Sequence, residues 1–365
     1  MPEMPVPCTS DRWMLLLSSL VLSPASNPSR GPGADILENI TESEFNDLIA
    51  VAHSNHVVMR GMEAFQNIML AAGDHTRAQW AAAVLINERA RIANALSVLR
   101  TLFDAFDAEG IDLTVIKSLD HWPDFGSDID LYTNAAADVV CPFMQSRFNA
   151  RIAPQSWGDR LACKWNFYLP NLPDPVEVHM GRLGQTGEQL FIASQVPRRA
   201  RLIEVDGHTF RVASPSDRLM ISTLQRMYRH FYFRLCDIVD SAALVASGGV
   251  DFEELLSSAG AAGIWEGVAT YLVIVSDYVG RYGTDLKLPG FVKEAARFQG
   301  DVLYFGGKFL RVPIMPQSAA LYRTQFARLL RRRQVRSSAR LGLLPPLATA
   351  AAIAYKITGS DKGIW

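Results

Sequence analysis

Residues Ile111–Thr133 read IDLTVIKSLDHWPDFGSDIDLYT, and this stretch determines the fold class that we predict. Two segments of β-type composition, Ile111–Lys117 and Asp128–Thr133, flank a loop that contains the turn formers Pro123 and Gly126. We therefore expect two neighbouring strands joined by an irregular turn, with a pair of acids at the start of the second strand.

The pair of acids is Asp128-Ile129-Asp130. Side chains two residues apart on a strand point to the same face, so both carboxylates are expected to project together. Two carboxylates held this close repel each other unless a cation lies between them. Oxygen ligands at the edge of a strand suit Mg²⁺, which completes its shell with water and substrate phosphates. The alternative is a solvated strand edge without a metal.

A second alternating segment, Pro175–Met180 (PVEVHM), places Glu177 and His179 on one face. A third carboxylate on a neighbouring strand is what a two-metal phosphoryl-transfer site requires. His179 is either a proton carrier or phosphate contact at such a site, or a structural residue held by hydrogen bonds.

Together, the Lys117-Ser118 turn, the following Asp-Ile-Asp-Leu run and the Val-Glu-Val-His strand resemble the nucleotidyltransferase superfamily, which has the polymerase-β-like fold. More narrowly, the chain from about Glu42 to Val279 is similar to largely uncharacterised bacterial nucleotidyltransferase family proteins. The resemblance implies that three catalytic acids hold Mg²⁺ and that the turn cradles nucleotide phosphates. By position, the acids are Asp128, Asp130 and Glu177, and the turn is Lys117 with Ser118.

Three further residues complete the predicted nucleotide site. Ser127 precedes the acids where the family commonly has an arginine, and Ser118 replaces a glycine that is usual in the family turn. His179 follows Glu177 on the same face. Arg229, within the basic phrase RMYRH, is predicted to line a phosphate site, because arginine is favoured for phosphate contact. The alternative is that Arg229 lies on a solvated helix face.

Composition places the 365-residue chain among globular proteins, since 49% of its residues are hydrophobic and 20% are charged. We expect two domains, or one domain with helical extensions. The four cysteines form no C-x-x-C pair, so the sequence indicates neither a zinc site nor a disulfide framework. A reduced, cytoplasmic location fits this pattern best.

The C-terminal region is basic. Between Val302 and Ser360 there is no Asp or Glu, whereas Lys and Arg together number ten. The uncharged run Leu341–Tyr355 is too short to span a bilayer, and we expect Pro345-Pro346 to break its helix. The arginines of Arg328–Arg340 are predicted to meet an anionic surface at the inner face of the membrane. The alternatives are that the apolar run packs against the helical bundle, and that the arginines form its solvated edge or bind RNA or an acidic partner. No clear nucleic-acid motif accompanies them.

Helix signals precede the acidic stretch. Trp13–Leu22 predicts a short packing helix rather than a signal peptide, and Ser23–Gly33 predicts a linker. Thr41 and Glu44 form a capping box that opens the next helix. A long helix from about Thr76 to Glu109 has an apolar stripe on one face, formed by Leu85, Ile92, Leu96, Leu99, Phe103 and Phe106.

Strand and helix signals continue after the acids. Leu161–Leu169 is a predicted strand, and Asp206-Gly207 turns a predicted hairpin of Arg201–Val205 and His208–Val212. Ser214-Pro215 starts the next helix, and helices are expected to continue through Gln225–Ala246 to Val279.

We predict an α+β fold with a nucleotidyltransferase-type mixed β-sheet core, flanked by N-terminal and C-terminal helical regions. The predicted organisation is an N-terminal helix and linker (1–40), a helical region (41–110), the α/β core (111–213), a helical bundle (214–300) and a basic tail with an apolar segment (301–365).

The leading functional hypothesis is a Mg²⁺-dependent nucleotidyltransferase that moves a nucleoside monophosphate from a nucleoside triphosphate to an unidentified acceptor. A metal-dependent glycosyltransferase also uses Asp-x-Asp, but that fold places alternating strands and helices before the motif. The third hypothesis is a non-catalytic protein that retains the fold and binds a nucleotide or a partner.

Overall fold

The predicted acidic strand lies in the middle of a seven-stranded mixed sheet. The computed structural model describes residues 9–23, 34–184, 192–300, 302–306, 308–313 and 319–358. The strands of this sheet are β1 (Thr114–Val115), β2 (Ile129–Thr133), β3 (Arg151–Ile152), β4 (Lys164–Tyr168), β5 (Val176–Met180), β6 (Arg201–Val205) and β7 (His208–Val212). Their order is β3-β4-β5-β2-β1-β7-β6. The pairs β2–β5 and β1–β7 are parallel, and the other neighbours are antiparallel.

The two central strands, β2 and β5, are buried along their whole length. A strand that is buried on both faces needs other elements packed against both sides of the sheet. Asp130 is only 4% exposed and Glu177 only 8% exposed as a result. These two acids are therefore interior groups, and the alternative of a solvated strand edge does not hold for them.

Helices precede the sheet, as the sequence predicted. They are α1 (Thr9–Leu22), α2 (Ala34–Glu38), α3 (Glu42–Asn55), α4 (Val58–Ala71) and α5 (His75–Ala108). The capping box of Thr41 and Glu44 is present at the start of α3. The predicted stripe of α5 is buried along its length. Gly110 follows the end of α5 with a φ of +70°, a conformation that glycine adopts without strain.

The helices after β2 are α6 (Ala137–Phe148), α7 (Trp157–Ala162), α8 (Val196–Arg199), α9 (Pro215–Thr223), α10 (Leu235–Ala246), α11 (Phe252–Ala262), α12 (Trp265–Gly280), α13 (Gly290–Ala295), α14 (Ala319–Arg331) and α15 (Val335–Thr358). The Asp206-Gly207 hairpin and the Ser214 cap of α9 are confirmed. The α+β prediction, a mixed sheet between N-terminal and C-terminal helices, is also confirmed. Most of the predicted linker, residues 24–33, lies outside the described residues.

The predicted helical run through Gln225–Ala246 is interrupted. A π-helical segment, Leu224–His230, ends at Phe231, whose φ is +55°. The next residues form β8 (Tyr232–Phe233), which pairs with β10 (Phe309–Arg311), and β10 pairs with β9 (Tyr304–Gly306). The ring of Tyr232 stacks on the ring of Phe309 with centroids 4.4 Å apart. Pairing with a distant segment therefore replaces the local helix preference at this point.

Three smaller predictions also need correction. Strand pairing in β1 covers only Thr114–Val115 of the predicted segment, and α7 occupies residues before Lys164 where the sequence suggested strand. Pro345 and Pro346 lie inside α15 and do not break it. Proline has no backbone N–H, so each of the two residues removes one hydrogen bond of the helix. Because the prolines are adjacent, both lost bonds fall within one turn, and the hydrogen bonds before and after that turn maintain the helix.

The basic tail packs on the helices that follow the core. Arg328 donates to the Glu266 carboxylate at 2.5 Å, and Arg332 donates to the Gly260 carbonyl at 3.3 Å. These two arginines therefore bind within the protein, whereas the predicted anionic partner of the tail stays a prediction. None of the helices in the described part of the chain is long and apolar enough to cross a membrane.

One buried amide connects three distant parts of the chain. Asn55, at the end of α3, donates from Nδ2 to the Lys308 carbonyl at 2.8 Å and accepts at Oδ1 from the Leu235 backbone N–H at 3.0 Å. Its side chain is fully buried. Removing this side chain leaves a backbone donor and a backbone acceptor without their partner in the interior.

We predict that Asn55→Ala lowers the free energy of unfolding by about 2–6 kcal/mol, because each of the two buried groups that lose their partner costs about 1–3 kcal/mol. Urea unfolding followed by circular dichroism measures this change. The neighbouring Ser54→Ala is the control, since the Ser54 hydroxyl bonds to a carbonyl of its own helix on the exposed side. Equal stability of the two variants would contradict the structural role of Asn55.

Candidate functional site

The centre of the candidate site is a pair of carboxylates on adjacent parallel strands. The register of β2 and β5 places Asp130 directly beside Glu177. His179, two residues further along β5, has its Nε2 2.9 Å from Glu177 Oε1. One ligand atom from each of these three residues lies within 4.8 Å of the other two. The structure therefore brings together three of the predicted site residues.

The third predicted acid, Asp128, immediately precedes β2 and is half-buried. Its carboxylate is close enough to Asp130 and Glu177 to interact with both electrostatically. All three acids line one cavity of about 430 Å³, which is within the usual size range of a small-molecule site.

Two lysines neutralise this group of acids. The Lys117 ammonium contacts the Asp130 carboxylate and lies 3.8 Å from Glu177 Oε1. Lys164 Nζ, on β4, lies 2.8 Å from Glu177 Oε2 and 2.9 Å from Asp159 Oδ1. Burial opposes the charge of each lysine, but the neighbouring carboxylates outweigh burial and raise both pKa values. Both lysines therefore stay protonated at neutral pH.

The two central carboxyls differ in their acidity. Burial raises the pKa of Asp130 well above its usual range, and the charge of Asp128 adds to this effect. Burial also disfavours the charge of Glu177, but the Lys117 charge and the His179 hydrogen bond outweigh it and hold the pKa of Glu177 well below its usual range. The pKa values of the two carboxyls therefore shift in opposite directions, and at Asp130 the Lys117 charge opposes the upward shift.

The predicted turn residues have different surroundings. Ser118 is buried, and its hydroxyl donates to the Asp128 carbonyl at 3.0 Å and accepts from the Asp130 N–H at 2.7 Å. This hydroxyl fixes the backbone that carries the two acids. Ser127 is exposed and does not line the cavity.

A second part of the cavity wall is basic. The π-helical segment Leu224–His230 contributes Arg226, Arg229 and His230, and the residues after it contribute Tyr232 and Arg234. Arg226 is held in place by Asp237, with 2.7 Å between Nε and Oδ2. π-Helical segments are frequent at functional sites, because the extra residue redirects side chains. The predicted Arg229 is thus on this wall, facing the same cavity as the acids.

Sequence reasoning missed several residues of this cavity. Lys164 is the main one, and its signal was a single charge in the otherwise uncharged run LACKWNFYL. In the sheet it is paired in register with His179, which explains its position beside Glu177. Arg226 and His230 belong to the phrase that the sequence singled out, whereas Arg234 lies just beyond it.

The donor set fits a hard divalent cation such as Mg²⁺. Carboxylate oxygens from neighbouring strands are its preferred protein ligands. His179 fixes the orientation of the Glu177 carboxylate, as partners of metal-ligating carboxylates do. Because Lys117 contacts the Asp130 carboxylate, a cation at this position competes with the lysine ammonium.

Comparisons with known proteins add little to this geometry. No family model matches the sequence, and no curated protein matches it. A solved structure of an antigenic nucleotidyltransferase-like protein from Paracoccidioides brasiliensis aligns with 45% of this chain and 85% of its own length, at 16% identity and a TM-score of 0.31.

The basic wall is supported by one close contact. A Cβ added at Gly267, on α12, would collide with the ring and hydroxyl of Tyr228, which lies between Arg226 and Arg229. The absence of a side chain at Gly267 therefore allows Tyr228 to pack against α12 and hold the π-helical segment in place.

We predict that Gly267→Ala lowers the free energy of unfolding by about 1–3 kcal/mol, because an added methyl in a packed interior displaces its neighbours. It should also displace the arginines beside Tyr228, which a crystal structure of the variant measures. Gly280→Ala in the same helix is the matched control, since an added Cβ meets nothing within 4 Å there. If the two variants behave alike, the contact with Tyr228 does not position the basic wall.

Proposed function

We propose that this protein is a metal-dependent nucleotidyltransferase that uses a nucleoside triphosphate. The observation that carries this proposal is the pairing of Asp130 with Glu177 in a cavity that Arg226, Arg229 and Arg234 also line. Acids suit a metal ion, and arginines suit phosphate oxygens. A metal-bound triphosphate carries a metal ion that the acids can bind and phosphate oxygens that the arginines can bind, so it fits both parts of the cavity wall.

The residues have distinct roles in this proposal. Asp128, Asp130 and Glu177 hold Mg²⁺, which when bound supplies positive charge beside the phosphates. Lys117 and Arg229 face the triphosphate, and His179 orients Glu177. The acceptor oxygen bonds to the α-phosphorus, the bond to the bridging oxygen breaks, pyrophosphate leaves, and the acceptor proton passes to solvent. Fixed charges and positioning then supply the rate enhancement.

A second candidate is a non-catalytic protein that binds a nucleotide without turnover. The ion pairs of Lys117 and Lys164 favour it, since the two ammonium groups already balance the charge of Asp130 and Glu177. In this candidate the lysines replace the metal as the source of positive charge. The glycosyltransferase alternative lacks such support, because the described residues before Thr114 contain helices and no strand.

We predict that Asp128→Asn/Asp130→Asn abolishes Mg²⁺-dependent binding of nucleoside triphosphates, measured by calorimetry, because two of the three acids that hold the metal become neutral. The fold should persist, since Glu177 Oε1 still lies 3.8 Å from the Lys117 ammonium and compensates its charge. Asp138→Asn, an exposed acid on α6, is the control and should bind like the wild type. Pyrophosphate release across acceptor classes then separates transfer from binding, and undiminished Mg²⁺-dependent binding in the double variant would exclude the acids as the metal site.

Lys117→Met tests how the acids are neutralised. We expect it to lower the free energy of unfolding by about 3–5 kcal/mol, because removing one partner of a buried ion pair leaves the other uncompensated. Added Mg²⁺ should restore part of that loss in thermal unfolding. If nucleotide stabilises the wild type without Mg²⁺, and Mg²⁺ stabilises only the variant, the second candidate is correct.

A further inference from the structure

A second group of metal-binding side chains lies beside the acids, on a different part of the cavity. His56 follows the end of α3, His121 ends the short helical turn Ser118–His121, and Cys236 lies in the first turn of α10. One ligand atom from each lies within 4.8 Å of the other two. His56 and Cys236 are buried, and Cys236 has no exposed surface.

The ligand types distinguish this cluster from the acids. One thiol and two imidazoles are soft and intermediate ligands that suit Zn²⁺, whereas Mg²⁺ prefers oxygen. Tetrahedral zinc with these ligands needs ligand atoms about 3.5 Å apart. The three ligand atoms lie within 4.8 Å of one another, so no pair has to close by more than about 1.3 Å to reach that spacing. We propose that His56, His121 and Cys236 bind a zinc ion at the edge of the cavity.

Asp240 provides the support that a zinc-binding histidine needs. Its Oδ2 lies 2.5 Å from His121 Nδ1, which leaves His121 Nε2 for the metal. Its other oxygen, Oδ1, lies 2.9 Å from Arg60 Nη1, so the carboxylate is itself held in place. A carboxylate on the second nitrogen of a ligating histidine is the usual arrangement at zinc sites, because it fixes the ring orientation and raises its basicity.

A second observation points to a ligand at this place. His56 Nδ1 is buried and has no hydrogen-bond partner among the described residues. Buried polar atoms are nearly always paired, and an unpaired one calls for an explanation. A metal ion bound by the cluster would explain why the His56 ring is buried beside His121 and Cys236 with Nδ1 unpaired.

A hydrogen bond between the Asn55 side chain and the Leu235 backbone holds two of the three ligands near each other. Asn55 accepts a hydrogen bond from the Leu235 N–H at 3.0 Å, and His56 and Cys236 are the next residues along each chain segment. This one bond therefore brings a ligand from the end of α3 next to a ligand from α10. The three ligands come from separate segments, which is why no C-x-x-C spacing marks them in the sequence.

The same residues could suggest a cysteine nucleophile with His121 as base and Asp240 as the group that orients it. Burial decides against this alternative. Cys236 is fully buried and does not line the cavity, so a substrate cannot reach its sulfur. His56 and His121 do line the cavity, which gives a metal ion an entry path.

The test uses the full-length chain with Co²⁺ and Zn²⁺ as probes. We expect Co²⁺ to give the near-ultraviolet band of a thiolate–cobalt bond in the wild type and in Cys8→Ser/Cys141→Ser/Cys163→Ser, which retains Cys236 alone. Cys236→Ser should lose the band and bind Zn²⁺ more than about 100-fold more weakly, because losing a ligand costs more than losing a supporting partner. Asp240→Asn should weaken Zn²⁺ binding by about 10- to 100-fold.

Two controls separate this site from the acids. Asp128→Asn/Asp130→Asn should keep the cobalt band and the zinc affinity of the wild type, whether or not the protein transfers nucleotides. Absence of the band in the wild type or in the triple serine variant overturns the proposal, as does unchanged zinc affinity in Cys236→Ser. If Cys236→Ser does not fold, the triple serine variant decides alone, since its band can come only from Cys236.

Discussion

Two carboxylates side by side in the protein interior impose a requirement that the rest of the site must meet. The parallel register of β2 and β5 places Asp130 beside Glu177, and both are buried. Like charges in this position are costly unless positive charge is supplied close by. Lys117 from the turn after β1 and Lys164 from β4 supply it. The strand register thus fixes where cations belong, whether they are lysines or a metal ion.

The second wall of the cavity depends on contacts between distant parts of the chain. The π-helical segment can present Arg226 and Arg229 because Tyr228 packs against Gly267 and because β8 ends the helix early. Strand β8 in turn pairs with β10, which lies far along the chain. Strand β10, in the C-terminal region, therefore contributes to the site indirectly, because its pairing with β8 helps to set the position of the arginines.

Most short-range features of this chain could be predicted from sequence, whereas long-range contacts could be predicted only where the strand pattern and the family resemblance indicated them. The Thr41 capping box and the Asp206-Gly207 hairpin depend on neighbouring residues, so their patterns were sufficient. The adjacency of Asp130 and Glu177 followed from two alternating strands and the family resemblance. The place of Lys164 beside Glu177 and the meeting of His56 with Cys236 depend on sheet register and helix packing, which periodicity does not encode. Pairing of β8 with β10 overrode local helix preference for the same reason.

The most direct measurement is anomalous diffraction from crystals grown with Mn²⁺, as a substitute for Mg²⁺, and a non-hydrolysable nucleoside triphosphate analogue. The proposed function predicts an anomalous peak in contact with the carboxylates of Asp128 and Asp130 and with phosphate oxygens, at distances of about 2.0–2.5 Å. The triphosphate should lie between these acids and Arg229. Bound analogue with no peak at the acids, and with Lys117 still against Asp130, would contradict a metal-dependent nucleotidyltransferase.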